Sequence, residues 1–462
     1  MRISGQYLVL GSSLLMPACL AARTQAGYVE LRSAANVNPP SGSPSRSEES
    51  APADEAELVR ETKLDTVLRL ALERNPDLHE SQERLGAAFE RVPAAARLPD
   101  LELKYEQWGV PLRRPFALGQ AQTLMLGLRQ TFPAPGSLDA KSRAALEEAK
   151  LALDTRHARE QDIIAQVRRA FYEYYRADRE YRIHLEHVDL ATRVVELARA
   201  NYQAGRGSQQ DVLRTIVELS RLHNDIAAIE QQRISSRALL NSLMARDPDA
   251  PLGPPAEFEP PRQAIRIDKA EQLLESSRPE LLAASRASRR SEASLNAAQN
   301  TAHWPSFMVG ADYWYMPTSD SHHAYGAMFA MSLPWLNPRH REEVREAEHA
   351  LAADRRALES VRNAARYQLR DAAARYDAAQ QSFTIIDRDL LPQARQSYQA
   401  GQAAFASGQG DALGLLDALR SYLQVRLERS RALAHLQTAL ADLERTVGAD
   451  LSQPRNQKEG QP

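Results

Sequence analysis

Several things are scarce in this sequence of 462 residues, and each scarcity excludes a class of protein. There is one cysteine, Cys19, which rules out an internal disulfide and any cysteine-cluster metal site. Aromatic residues make up only 6%, while charged residues reach 26% and Ala, Leu, Arg, Glu and Gln dominate long stretches. That is the composition of long amphipathic helices, not of ordinary globular domains. The formal net charge is −2, which indicates neither nucleic-acid binding nor a strongly acidic partner. No segment after the N-terminus holds the roughly 18 consecutive apolar residues a membrane-crossing helix needs. There is no nucleophile elbow, phosphate loop or pair of zinc-spaced histidines at one clear site, so neither enzyme activity nor a cofactor is expected.

What is present begins with an export signal. Residues 1–26 read as a signal sequence: Arg2 supplies the positive charge, and Tyr7 to Ala22 is largely apolar and ends in small residues. Cys19 at the end of that run resembles the acylated cysteine of a bacterial lipoprotein signal; the alternative is plain cleavage after Ala22 or Ala26. Residues 27–57 read as a disordered tether, because Asn36 to Glu57 is rich in Pro, Ser and Glu and poor in apolar residues. Residues 448–462 read as a disordered tail.

Between them the chain repeats itself with an offset near 203 residues. Asn75-Pro-Asp-Leu78 returns as Arg278-Pro-Glu-Leu281, Thr131-Phe-Pro133 as Ser332-Leu-Pro334, and Asn201-Tyr-Gln-Ala-Gly205 as Ala404-Phe-Ala-Ser-Gly408. The order is the same in both halves, which implies two copies of one long unit and a pseudo-symmetric fold. The copies span 58–250 and 269–447, with a linker at 251–268.

Each copy carries a very long helix. From Ser137 to Ala204 there is neither glycine nor proline, a run that as a helix measures roughly 100 Å. Its apolar positions step by three and four: Ile164, Val167, Phe171, Tyr174, then Tyr181, Leu185 and Val188. The second copy, over 339–407, does the same through Leu358, Val361, Ala365, Leu369, Ala372, Tyr376, Ala379, Phe383, Ile386 and Leu390. This coiled-coil pattern needs a partner along its length. Gly205 and Gly408 break the long helices, and return helices over 211–244 and 411–447 fold back antiparallel. Pro392 predicts a kink in the second long helix.

Ahead of each long helix lies a pair of strands. Leu101–Val110 and Gln122–Phe132 form one pair within a hairpin over 101–132; Phe307–Met316 and Tyr325–Leu333 form the other over 307–333. Apolar residues alternate along them, and Trp108, Trp304, Trp314, Tyr313, Tyr315 and Tyr325 lie in or beside them, as in membrane-barrel strands. His184 and His187, three apart on the first long helix, read as a solvated surface, and His322 and His323 as a polar loop tip.

Taken together, the order helix, strand pair, long helix, glycine turn and return helix, done twice, resembles the TolC-like outer-membrane efflux protein family over roughly residues 58–447. Gln130-Thr-Phe-Pro-Ala-Pro-Gly136 is similar to a corner common in its heavy-metal efflux branch. The resemblance implies a mostly α fold with a small β part: coiled-coil hairpins plus four membrane strands per chain, closed as a homotrimer into an α/β-barrel duct. It implies residence in the outer membrane of a Gram-negative bacterium, contact with outer-membrane lipid, a long periplasmic extension, and a periplasmic adaptor and inner-membrane pump as partners. The function it implies is a passive exit duct for small molecules or metal ions. The periplasmic tip that gates the duct would contain Tyr202, Gly205, Asp211, Phe405, Gly408 and Asp417, with the acids facing the constriction; the alternative is that Asp211 and Asp417 only cap the helix starts. The sequence departs from the family pattern at Gly414 and Arg214, where an acid is common. The alternative is a periplasmic coiled-coil adaptor or structural protein without a barrel; an adaptor, however, has one hairpin and a small β domain beside it.

Overall fold

The computed structural model describes residues 22–35, 51–109, 121–261, 265–317, 322–407 and 409–451. The helices are α1 (Ala22–Ala34), α2 (Ala51–Arg60), α3 (Leu64–Arg74), α4 (Pro76–Ala96), α5 (Ser137–Gln203) and α6 (Gln209–Leu243). They continue as α7 (Ile267–Ser277), α8 (Pro279–His303), α9 (Arg339–Ile385), α10 (Leu391–Ala406) and α11 (Ala412–Val447). The strands are β1 (Glu102–Trp108), β2 (Thr123–Phe132), β3 (Phe307–Tyr315) and β4 (His323–Met331). The chain divides into two compact units, one of Met1–Pro39, Gln82–Asp154 and Leu282–Val361, the other of Pro40–Ser81, Thr155–Leu281 and Arg362–Pro462.

In the first unit the two strand pairs join into one antiparallel sheet of order β1-β2-β3-β4. The register sets Leu128 between Leu103 and Ala311, and Tyr313 between Leu126 and Tyr325. Because side chains alternate across a sheet, this register gathers Leu103, Tyr105, Leu126, Leu128, Val309, Tyr325 and Phe329 on one face, all exposed. The opposite face carries Glu102, Lys104, Glu106, Arg129 and Asp312 together with Trp108, Met125 and Trp314. There Arg129 lies 3.9 Å from Asp312, which is buried, and glycine at 127 leaves room for it: a Cβ at that position would meet Asp312 Oδ1 at 2.1 Å. Strand β4 starts at His323, earlier than its aromatic content suggests, because His323 completes a pair with Tyr315.

Beside the sheet, Leu85, Phe89, Val92, Leu146 and Ala149 form a core between α4 and the start of α5. Tyr28, Leu31 and Ala35 pack against it, with Arg32 paired to Glu90 at 3.0 Å. This corrects the tether expected over 27–57 in its described parts, 27–35 and 51–57; residues 36–50 lie outside the described residues. Its first part is helical because Tyr28, Leu31 and Ala35 recur at helical spacing and find an apolar seat; Ala51–Arg60 is helical as well.

In the second unit Leu58, Val67, Leu70, Ile163, Val167, Phe171, Leu240 and Met244 form a core among α2, α3, α5 and α6. The segment after α6 is fastened to it. Gly253 N–H donates to the Leu58 carbonyl at 2.8 Å, the Tyr174 hydroxyl donates to the Gly253 carbonyl at 2.9 Å, and Phe258 packs its ring against Tyr172 and Tyr175. Along α9, Ala365, Leu369, Ala372, Tyr376, Ala379 and Phe383 are all buried, which is the seam read from their spacing; Leu390, read as its last position, is exposed. Pro392 acts through a π turn at Ile386–Leu390, where the Leu391 N–H reaches back five residues to the Ile386 carbonyl. The wider turn carries the helix past a residue that has no N–H to donate. Asp387 of that turn is held by Arg429 of α11 at 2.5 Å.

On α5 the seam departs from the sequence reading. Leu185 is exposed, whereas Ile183, His184, His187 and Ala191 are buried. The histidines, read as a solvated pair, therefore occupy core positions. The steps of three and four run through 180, 184, 187, 191 and 194, and polar residues at three of those places hid them.

Candidate functional site at the helical turns

The site assigned from sequence lies where α5 meets α6 and α10 meets α11, within the second unit. The first turn closes α5 with two hydrogen bonds, Gly205 N–H to the Tyr202 carbonyl at 3.0 Å and Arg206 N–H to the Asn201 carbonyl at 2.9 Å. This pattern needs a left-handed residue, and Gly205 has φ +70°. A Cβ there would meet nothing within 4 Å, so backbone conformation alone demands the glycine.

Ser208 then starts α6. Its hydroxyl oxygen accepts the Asp211 N–H at 3.2 Å, while the Asp211 carboxylate accepts the Ser208 N–H at 3.0 Å and the Ser208 hydroxyl at 2.7 Å. This is a reciprocal cap that satisfies donors the helix leaves open. The Ser208 hydroxyl, then its N–H, hold the Asp211 carboxyl below the usual carboxylate range.

The second turn repeats the plan with different parts. Gln409 N–H donates to the Ala404 carbonyl at 2.9 Å, as Arg206 does to Asn201. Asp411 caps α11, its carboxylate accepting the Gly414 N–H at 3.1 Å. The acid absent at Gly414 has moved three residues back, to the capping position itself. Gly408 lies outside the described residues.

The aromatic pair is split. Tyr202 is 50% exposed, whereas Phe405 is 5% exposed in a core with Val194, Ala198, Leu415, Leu416 and Leu419. Asn201, which sequence reasoning passed over, is buried and donates its Nδ2 to the Phe405 carbonyl at 3.3 Å. It joins the two turns. Asp417 has no capping role: it is exposed, 3.5 Å from Arg420. Arg420 reaches from α11 to Glu218 of α6 at 2.5 Å, and Glu218 is buried. The signal for this pair was faint, one acid among several on α6 and one arginine among several on α11.

Farther along α5, His187 is fully buried, with no hydrogen-bond partner at either ring nitrogen. Its ring centroid lies 5.7 Å from that of Tyr422, which stacks on Tyr398. Burial, then the nearby Arg426 and His184 charges, push His187 down to about 4. His184 is buried too, its Nδ1 3.0 Å from the Glu180 carbonyl. Among the described residues no three His, Cys, Asp or Glu side chains are grouped to hold a metal, and no helix is long and apolar enough to cross a membrane.

The turns, the doubled long helices and the single sheet are those of a known family. The family model of outer membrane efflux proteins matches residues 67–246 and again 270–449. The chain belongs to the outer membrane efflux protein family. The double match restates the internal repeat in family terms. The fold agrees with solved members. The outer-membrane channel OprN is 19% identical over 90% of this chain and 95% of that one, with a TM-score of 0.71. VceC from Vibrio cholerae is 18% identical over 84% and 96%, with a TM-score of 0.69. MtrE from Neisseria gonorrhoeae, in its open state, is 20% identical over 84% and 89%, with a TM-score of 0.65. Among curated protein sequences none matches this chain significantly.

Proposed function

We propose that this outer membrane efflux protein is the passive exit duct of a tripartite efflux system, acting as a homotrimer with a periplasmic adaptor and an inner-membrane pump. One observation carries this reading: a sheet with a continuous exposed apolar face, an opposite face that holds all of its charged residues, and two edges, β1 and β4, left unpaired among the described residues. An exposed apolar face of that extent needs cover, and unpaired strand edges invite pairing. Three copies joined β1 to β4 close twelve strands into a barrel. Leu103, Tyr105, Leu126, Leu128, Val309, Tyr325 and Phe329 then face lipid, and Glu102, Lys104, Arg129 and Asp312 face water.

The chain supplies no chemistry of its own in this reading; energy enters at the pump. The helical turns are the mobile end. Arg420 bridges α11 to Glu218 of α6 and Asn201 ties α5 to Phe405, so opening the tip means exchanging these bonds for others. Asp417, exposed and only loosely paired, is the acid free to face a constriction, and three copies would form a ring that favours cations. Asp211 is held by its own cap and contributes there chiefly to the shape of the turn. Cys19 is the proposed lipid attachment, outside the described residues.

Membrane fractionation of the full-length protein, followed by its oligomeric mass in mild detergent, tests the reading. A trimer in the outer-membrane fraction is expected. A soluble periplasmic monomer or dimer would overturn it in favour of an adaptor or spacer. Mass spectrometry of the mature N-terminus tests Cys19: a diacylated or triacylated cysteine is expected, and a free N-terminus at Arg23 or Gly27 contradicts it.

A further inference from the structure

Within the second unit α5, the α7–α8 junction, α9 and α11 enclose a cleft of about 420 Å³ that the duct reading does not use. That is far larger than the space of one water, and it lies in the range of small-ligand sites. Its walls are charged and nearly balanced. Arg445 holds both Asp162, at 2.8 Å, and Glu280; Arg169 holds Asp442 at 3.2 Å; Arg375 holds Asp371 at 2.8 Å.

Each carboxylate on the wall thus already has a guanidinium partner. Arg278 is different. It is 9% exposed, its Nε donates to Glu280 at 3.3 Å and its Nη2 to Gln368 at 2.5 Å, but its Nη1 has no partner. Among the buried side-chain atoms lining the cleft, this donor alone is unpaired. A buried charged donor without an acceptor is costly, so the unfilled capacity of the site is for an acceptor. Two more guanidiniums, of Arg169 and Arg375, line the same cleft with about half or more of their side chains exposed, free to turn towards a ligand. Burial pushes the Asp442 carboxyl up, so the acid that holds Arg169 keeps its charge less firmly.

The first repeat lacks these parts. With the offset of 203, Asn75 stands for Arg278, Tyr172 for Arg375 and Leu239 for Asp442. Asn75 turns back on its own helix start, accepting the Asp77 N–H at 3.0 Å, and Tyr172 belongs to an apolar core.

We propose that this cleft binds a small free oxyanion, of phosphate or carboxylate type, on Arg278, Arg375 and Arg169. Guanidinium forks match such oxygens in pairs, and the bound anion ties α9 and α5 to the α7–α8 junction. Titration calorimetry of the full-length protein in detergent, with inorganic phosphate alone and with succinate alone, tests it. Saturable binding of at least one probe is expected, with a raised melting temperature, and at least tenfold weaker binding in both Arg278→Gln and Arg375→Gln. Arg375 is mostly exposed, so its variant keeps the fold and decides the matter even where Arg278→Gln does not fold. Absence of saturable binding by either probe, or undiminished binding in Arg375→Gln, overturns the site.

Discussion

The two helical turns are built to one plan from different side chains. In the first, a serine caps the return helix and Asp211 three residues on completes the cap; in the second, Asp411 caps alone and glycine stands at the third place. In the first, the aromatic residue of the turn, Tyr202, faces solvent; in the second, Phe405 fills the core. The backbone hydrogen bonds nevertheless correspond, Arg206 to Asn201 and Gln409 to Ala404. The plan that duplication preserves is thus the set of backbone groups to be satisfied. Which side chain satisfies them is free to drift, and so is which turn carries the apolar plug.

The sharpest way to break this comparison is to exchange the plugs. Phe405→Ala should destabilise the tip by about 3–4 kcal/mol, whereas Tyr202→Ala should change it by less than about 0.5 kcal/mol. Hydrogen exchange of the α10 and α11 amides reads the difference; equal losses would mean that both aromatics are buried in the assembled protein.

Next in size is a pH effect that His187 brings to the first half, Leu390 standing at the matching place in the second. Its folded value near 4 lies below the ordinary 6.5, so between those values the unfolded chain binds the extra proton. Stability therefore falls as pH drops from about 6.5 towards 4, by on the order of 3 kcal/mol, and the loss levels off below 4. His187→Leu, which copies the second half, should flatten denaturation curves across that window. A slope unchanged in the variant would assign the effect elsewhere.

The caps should be closer to equal. Ser208→Ala and Asp411→Ala should each cost about 1 kcal/mol, because each removes one acceptor from a helix start. Asp417→Ala should leave melting unchanged yet alter single-channel conductance or its block by multivalent cations. Unchanged conductance would remove Asp417 from the gate.

The smallest effect concerns the far ends of the return helices. Ala245 has φ 53° where its counterpart Gly448 has φ 77°. Ala245→Gly should gain about 0.5–1 kcal/mol by relieving a left-handed alanine. Gly448→Ala should lose more than that, since its Cβ would lie 2.8 Å from the Ser277 carbonyl oxygen. Thermal melting of the two variants sets the order.

Much of the architecture was legible because it is periodic. The seam on α9, the alternating strands and the glycine turns each repeat a local rule, and local rules survive without knowledge of the fold. Where the reading went astray, a core position held a polar residue or a helix lay in polar surroundings. His187 passed for a surface group, and α1 was hidden beside a Pro- and Ser-rich stretch. At the turns the landmark residues were visible, but Asn201, Glu218 and Arg420 were not, because their partners are distant in sequence.

By itself, then, the sequence determined the repeat, the long helices, their turns and the strands, since these follow from spacing, φ preference and the need to satisfy backbone groups along one segment. Only the tertiary structure decided that the two strand pairs form one sheet, that Phe405 is buried while Tyr202 is not, and that Arg278 opens onto a charged cleft. Each of those depends on which distant surface a side chain meets. Pairing between segments is a matter of complementary shape and charge, which no local pattern records.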